Sequence, residues 1–98
     1  MTAESLAMEI ARRNHAEYIQ KRPGWHGMRV WMLLYYDPYT ETAPKIGLPQ
    51  FLLIGRKEHR IVSGTEALEY MQYLAVYYGY TEEGTLRGYK ESEPIQVQ

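Results

Sequence analysis

Met28-Arg29-Val30-Trp31-Met32-Leu33-Leu34-Tyr35-Tyr36 is the stretch on which the reading of the fold turns. It is almost wholly apolar, rich in strand-favouring residues, and shows no alternation of apolar and polar positions. A strand that needs cover on both faces has this composition, which makes it central in its sheet. Gly27 on one side and Asp37-Pro38 on the other bound it at strand length.

Upstream, Ala3, Leu6, Ala7, Ile10, Ala11 and Tyr18 recur at three- and four-residue steps and predict a helix from Ala3 to Lys21. Thr2 is suited to cap it, and Pro23 disfavours helical geometry at Arg22. Glu9/Arg13 and Glu17/Lys21 are spaced as i,i+4 pairs, and Pro23-Gly24 reads as the turn into the central strand.

Downstream, residues 37–49 (DPYTETAPKIGLP) hold three of the five prolines and no periodic pattern, so they read as a long loop. Such a loop is expected to be mobile in the isolated protein and to offer Tyr39 for contacts. Phe51 to Ile54 and Arg60 to Val62 are short strands around a polar turn in which Gly55 marks a bulge or the turn's beginning. Ser63-Gly64-Thr65-Glu66 then has the form of a capping box. It opens a helix expected from Gly64 to Tyr78, closed by Gly79. Leu68, Met71, Leu74, Ala75 and Tyr78 are its expected core stripe. Residues 81–98 are polar and read as a flexible tail, in which Ile95 to Val97 would add an edge strand.

The fold these elements predict is α+β, a two-layer α-β-β-β-α arrangement whose small, mainly antiparallel sheet is packed on one side by both helices. Residues 1–80 form its single domain. Leu48-Pro49-Gln50-Phe51-Leu52-Leu53-Ile54-Gly55, followed by Ile61-Val62-Ser63-Gly64 and the helix, resembles the closing hairpin and helix of the thioredoxin and glutaredoxin families, where a cis-proline precedes the strand. The resemblance implies an alternative topology with a structural role for Pro49. It implies no redox activity, because the chain has no cysteine.

Composition narrows the chemistry. Lack of cysteine removes disulfides, thiol nucleophiles and cysteine-ligated metals together. No secretory or membrane-spanning pattern is present, so a cytoplasmic protein is expected. Eleven basic and twelve acidic residues give a net charge of −1, so no global field favours nucleic acid or an anionic surface. The charge is uneven: residues 1–65 carry nine Lys/Arg and six Asp/Glu, and residues 66–98 carry two and six. His15, His26 and His59 lie at no metal-ligand spacing, no nucleotide or nucleophile motif occurs, and no cofactor is expected.

Ten tyrosines are the strongest remaining signal, four of them, Tyr70, Tyr73, Tyr77 and Tyr80, at helical steps on the second helix. An apolar ring with a hydroxyl tip suits a half-wet contact surface. The expected function is a non-enzymatic protein-interaction module, binding a protein partner or a second copy through Tyr39, Tyr70, Tyr73, Tyr77 and Tyr80. The second reading is a nucleic-acid accessory protein in which Arg56, Lys57 and Arg60 reach phosphates. The third is a small enzyme with a histidine and carboxylate site.

Overall fold

Thr2 caps α1 (Ala3–Arg13), its hydroxyl accepting the Ser5 amide at 3.0 Å. The structure, a computed structural model, describes residues 2–40 and 48–98. The Glu9–Arg13 pair forms at 2.6 Å, but the helix expected to run to Lys21 ends at Arg13. His15 takes a left-handed φ of 63°, its amide donating to the Arg12 carbonyl, while the Ala16 amide donates to Ala11 at 3.0 Å. This pair of bonds is the Schellman closure, here built on histidine instead of glycine. Asn14 Nδ2 adds a bond to the Ile10 carbonyl.

The chain beyond is not helical. Residues Tyr18–Trp25 form β1, so Glu17 and Lys21 make no helical pair. β1 turns into β2 (Met28–Leu34) through His26 and Gly27, both at positive φ (54° and 72°), the requirement of a two-residue primed turn. Pro23-Gly24, expected as the turn, instead lies within β1 where the register shifts between Arg22 and Trp25. Proline is tolerated at such a bulge because no ladder bond is asked of it.

β3 (Gln50–Ile54) and β4 (His59–Val62) follow as a hairpin closed by the Gly55 amide on the Glu58 carbonyl at 2.8 Å. α2 spans Gly64–Tyr77 and β5 Ile95–Gln96. The strand order is β4-β3-β2-β1-β5, with every ladder antiparallel and β2 in the middle as its composition requires. The topology implied by the thioredoxin resemblance is not formed, since α1 leads into an antiparallel hairpin and every ladder of the sheet is antiparallel.

The α+β class and the helix–strands–helix order stand, enlarged by β1 and β5. The layering differs from the expectation. Ala7, Ile10 and Ala11 of α1 pack with Ile19, Trp31, Leu33, Leu52 and Ile54, whereas Ala67, Tyr70 and Leu74 of α2 pack with Val30, Phe51, Leu53 and Val62. Successive residues of β3 point to opposite clusters, so the helices cover opposite faces of the sheet. Strands apolar on both sides require this; one covered face would leave Trp31, Leu52 and Ile54 in water.

Residues 81–98, expected as a free tail, are docked. Leu86 is buried with the α2 cluster, Glu91 pairs with Arg22 at 2.5 Å, and the Ser92 carbonyl accepts from Gln20. β5 then pairs with β1, Ile95 opposite Ile19, which realises the expected edge strand. Among the described residues no helix is long and apolar enough to cross a membrane. The loop expectation for residues 41–47 lies outside the described residues.

Candidate functional site

α2 begins without the expected capping box. Ser63 is extended and its side chain makes no capping bond, while Gly64 enters the helix at φ 57° and Glu66 reaches Arg60 at 2.5 Å instead of its own backbone. The conformation at Gly64 points the serine away from the amides it would cap, and the cation on β4 takes the carboxylate.

The helix is also rotated from the expected stripe. Ala67, Tyr70 and Leu74 are buried, and Leu68 and Ala75, expected inside, face water. Tyr70 drives the rotation. Its ring meets Phe51 edge-on at 4.7 Å and Trp25 at 5.3 Å, and its hydroxyl donates to the Pro23 carbonyl at 2.6 Å. The bulge in β1 has freed that carbonyl from the ladder, so the long Tyr70 side chain satisfies a buried acceptor that leucine would leave bare. Burial holds its phenol well above the ordinary tyrosine range. Tyr70 is therefore a core residue and unavailable to a partner, a correction to its reading as a contact residue.

From Tyr70 an aromatic file climbs to the surface. Tyr73 is half-buried, stacked with Tyr70 at 6.4 Å and with Tyr77 at 5.6 Å. Tyr77 is 69% exposed, meets Tyr78 edge-on at 4.8 Å, and Tyr78 in turn meets Tyr89 at 6.0 Å. Tyr80 is 41% exposed on the turn after α2, its carbonyl accepting Arg87 Nε at 3.0 Å. The phenols of Tyr78 and Tyr89 are also pushed up by desolvation, the direction that keeps them neutral and makes them poor nucleophiles.

The outward side of α2, opposite Tyr70, carries Thr65, Leu68, Glu69, Gln72 and Val76, all exposed, with Val76 88% accessible. Leu68 was expected in the core, and Val76 did not stand out in the sequence. Their signal was the four-residue spacing through Gln72, masked because both sides of this helix are apolar.

The other expected residues lie elsewhere. Tyr39 packs on Tyr18 at 5.8 Å and donates to the Pro94 carbonyl, at the end of β1 opposite from Trp25, so it does not join the α2 tyrosines. Arg56 and Lys57 are exposed in the β3–β4 turn, but Arg60 is engaged with Glu66. Arg56 shares with Arg29, Ala3 and Gly55 a shallow depression of 310 Å³. A wider groove of 460 Å³ lies between α2 and the docked C-terminal segment, bordered by Met32, Met71, Tyr80 and Thr85 and bridged by the Arg22–Glu91 pair. His15 and His26 occupy left-handed turns and His59 is exposed. No group of three or more metal-ligating side chains occurs among the described residues. Comparison of the chain with protein-family models, curated proteins and solved structures gave no match.

Proposed function

We propose that the protein is a non-enzymatic interaction module whose binding face is the outward side of α2 together with the surface end of its aromatic file. The observation that carries this reading is clustering: Leu68, Val76, Tyr77 and Tyr80 are four of the eight exposed large apolar side chains among the described residues, and one helix with its following turn holds them all. Scattered apolar residues need no explanation, whereas several gathered on one rigid element, Leu68 and Val76 on its outward side and Tyr77 and Tyr80 at its C-terminal end, support a contact surface. Tyr77 and Tyr80 supply ring area with few rotors to immobilise.

A nucleic-acid reading has one observation in its favour, the shared position of Arg29 and Arg56 beside Lys57. Against it stand the engagement of Arg60 by Glu66 and the absence of an exposed aromatic in the β3–β4 turn on which a base would stack.

The test is the native size of the tagged chain in extract of its own cells, read by size-exclusion chromatography. Wild type should run well above its 11.5 kDa. Val76→Glu and Tyr77→Ala should each return it to monomer size, and Arg56→Ala with Lys57→Ala should not. A wild-type chain that already runs as a monomer, or an assembly indifferent to Val76→Glu, contradicts the proposal.

A further inference from the structure

The geometry points to a binding site for a small phosphate monoester at the sheet end that carries the β1–β2 and β3–β4 turns, with Arg29 and Arg56 as the groups that grip the phosphate. The site is separate from the α2 face and stands or falls without it. Trp31 belongs to the α1 cluster, so Arg29, two residues earlier on β2, stands on the same face of the sheet. The register sets Arg29 opposite Ile54 and Lys21 opposite Trp31, which makes Lys21 a diagonal neighbour of Arg29. His59, opposite Ile54 on β4, adds an exposed imidazole to the same row. Arg56 follows in the turn and borders, with Arg29, the 310 Å³ depression that Ala3, Gly27, Ile54 and Gly55 complete.

These cations are not neutralised from within. None of Lys21, Arg29 and Arg56 forms an ion pair or a side-chain hydrogen bond among the described residues. The Lys21 ammonium lies instead over the Trp31 ring, 4.4 Å from its centroid. Burial and the neighbouring Arg29 charge hold that amine below the ordinary lysine range, while Glu4 acts in the opposite sense. Two carboxylates lie near. Glu4, exposed on the first turn of α1, offsets one charge. The Glu58 stem lies over Gly55 beside Met28, which packs in the α2 cluster, so Glu58 is carried on the other face. Three cations against the one carboxylate leave a positive surplus on the α1 side, in a chain whose net charge is −1.

Two guanidinium forks beside one depression match the oxygens of a phosphate, which accept bidentate bonds that an ammonium group cannot offer. A monoester brings close to two negative charges and takes up that surplus. The internal phosphodiester of a nucleic acid brings one, and a strand would need further cations along its path. A depression of 310 Å³ is at the small end of ligand sites, enough for a phosphate group and a short organic remainder.

Titration of the isotope-labelled chain with glycerol phosphate, followed by NMR at about pH 7.5 where the ester is mostly dianionic, tests the site. The Gly27 and Gly55 amide signals and the Nε–H signals of Arg29 and Arg56 should shift and saturate, and inorganic phosphate should move the same signals. Chloride at equal ionic strength should not. Arg29→Gln and Arg56→Gln should each weaken binding at least about tenfold, and Arg29→Lys, which keeps the charge and loses the fork, by less. Both arginines are exposed, so the variants keep the fold, and Lys57→Gln should weaken binding less than either. Shifts that never saturate, shifts that chloride reproduces, or an affinity unchanged in both arginine-to-glutamine variants overturn the site. A short single-stranded DNA that binds more tightly than glycerol phosphate through the same two arginines overturns the small-ester assignment.

Discussion

Tyr70 joins three elements through one side chain: its ring lies on Phe51 of β3, its edge on Trp25 of β1, and its hydroxyl on the Pro23 carbonyl. Tyr70→Phe keeps the ring and strands that acceptor, so urea unfolding should show a loss of about 1–3 kcal/mol. Titration gives a second signature. The folded phenol is raised above its ordinary value of 10.0 by burial. Its contribution to stability is therefore fully present below about pH 10, and is lost as pH rises from there toward the raised folded value, because the unfolded chain gives up the proton first. Between about pH 10 and about 11.5 the unfolding midpoint should fall, and fall less in Tyr70→Phe. His15 makes a different demand: at φ 63° it sits where a β-branched side chain clashes, so His15→Val should cost about 1–2 kcal/mol and His15→Gly should cost nothing. This is also where the sequence misled. Asn14-His15 stops α1 without the glycine that marks most such closures, and the apolar stripe is extended by coincidence to Tyr18 of β1.

At the scale of elements, the central strand was legible because nothing but burial on both faces explains an unbroken apolar run. The consequence that the helices must divide between those faces follows from the same fact. α2 was legible in extent but not in rotation, since Leu68 and Tyr70 are equally plausible inward residues until the free Pro23 carbonyl chooses tyrosine. The polar composition of residues 81–98 concealed that a few side chains anchor them. Leu86 is one such anchor, buried against the α2 cluster, and Leu86→Ala should cost about 2–5 kcal/mol in urea unfolding. A chain ended after Tyr80 loses Leu86, the Arg22–Glu91 pair and β5 together, and should unfold at lower denaturant than any of the single variants. A truncation that leaves the midpoint unchanged would show that the docked segment carries no stability.

Over the whole molecule, charge and apolar exposure separate. The exposed cations Arg56 and Lys57 lie in the β3–β4 turn and the surface tyrosines on α2 and the turn after it, so the two candidate functions use different residues. If nucleic acid were the ligand, its affinity would fall steeply with salt and would be lost in Arg56→Ala with Lys57→Ala; filter binding at low salt is expected to detect no such affinity. The candidate face itself was only half legible. The tyrosine spacing located the right helix, but Tyr70 and Tyr39 serve the interior and the far edge, and the outward Leu68 and Val76 were hidden among equally apolar neighbours. Hydroxyl-radical footprinting of the native assembly against the same chain diluted to monomer addresses the binding face most directly. Leu68, Val76 and Tyr77 should lose labelling on assembly, while Tyr35 after β2 and Ile95 on β5, exposed outside α2, keep theirs. Unchanged labelling along α2, or protection confined to Tyr35 and Ile95, would contradict the assignment of α2 as the binding face.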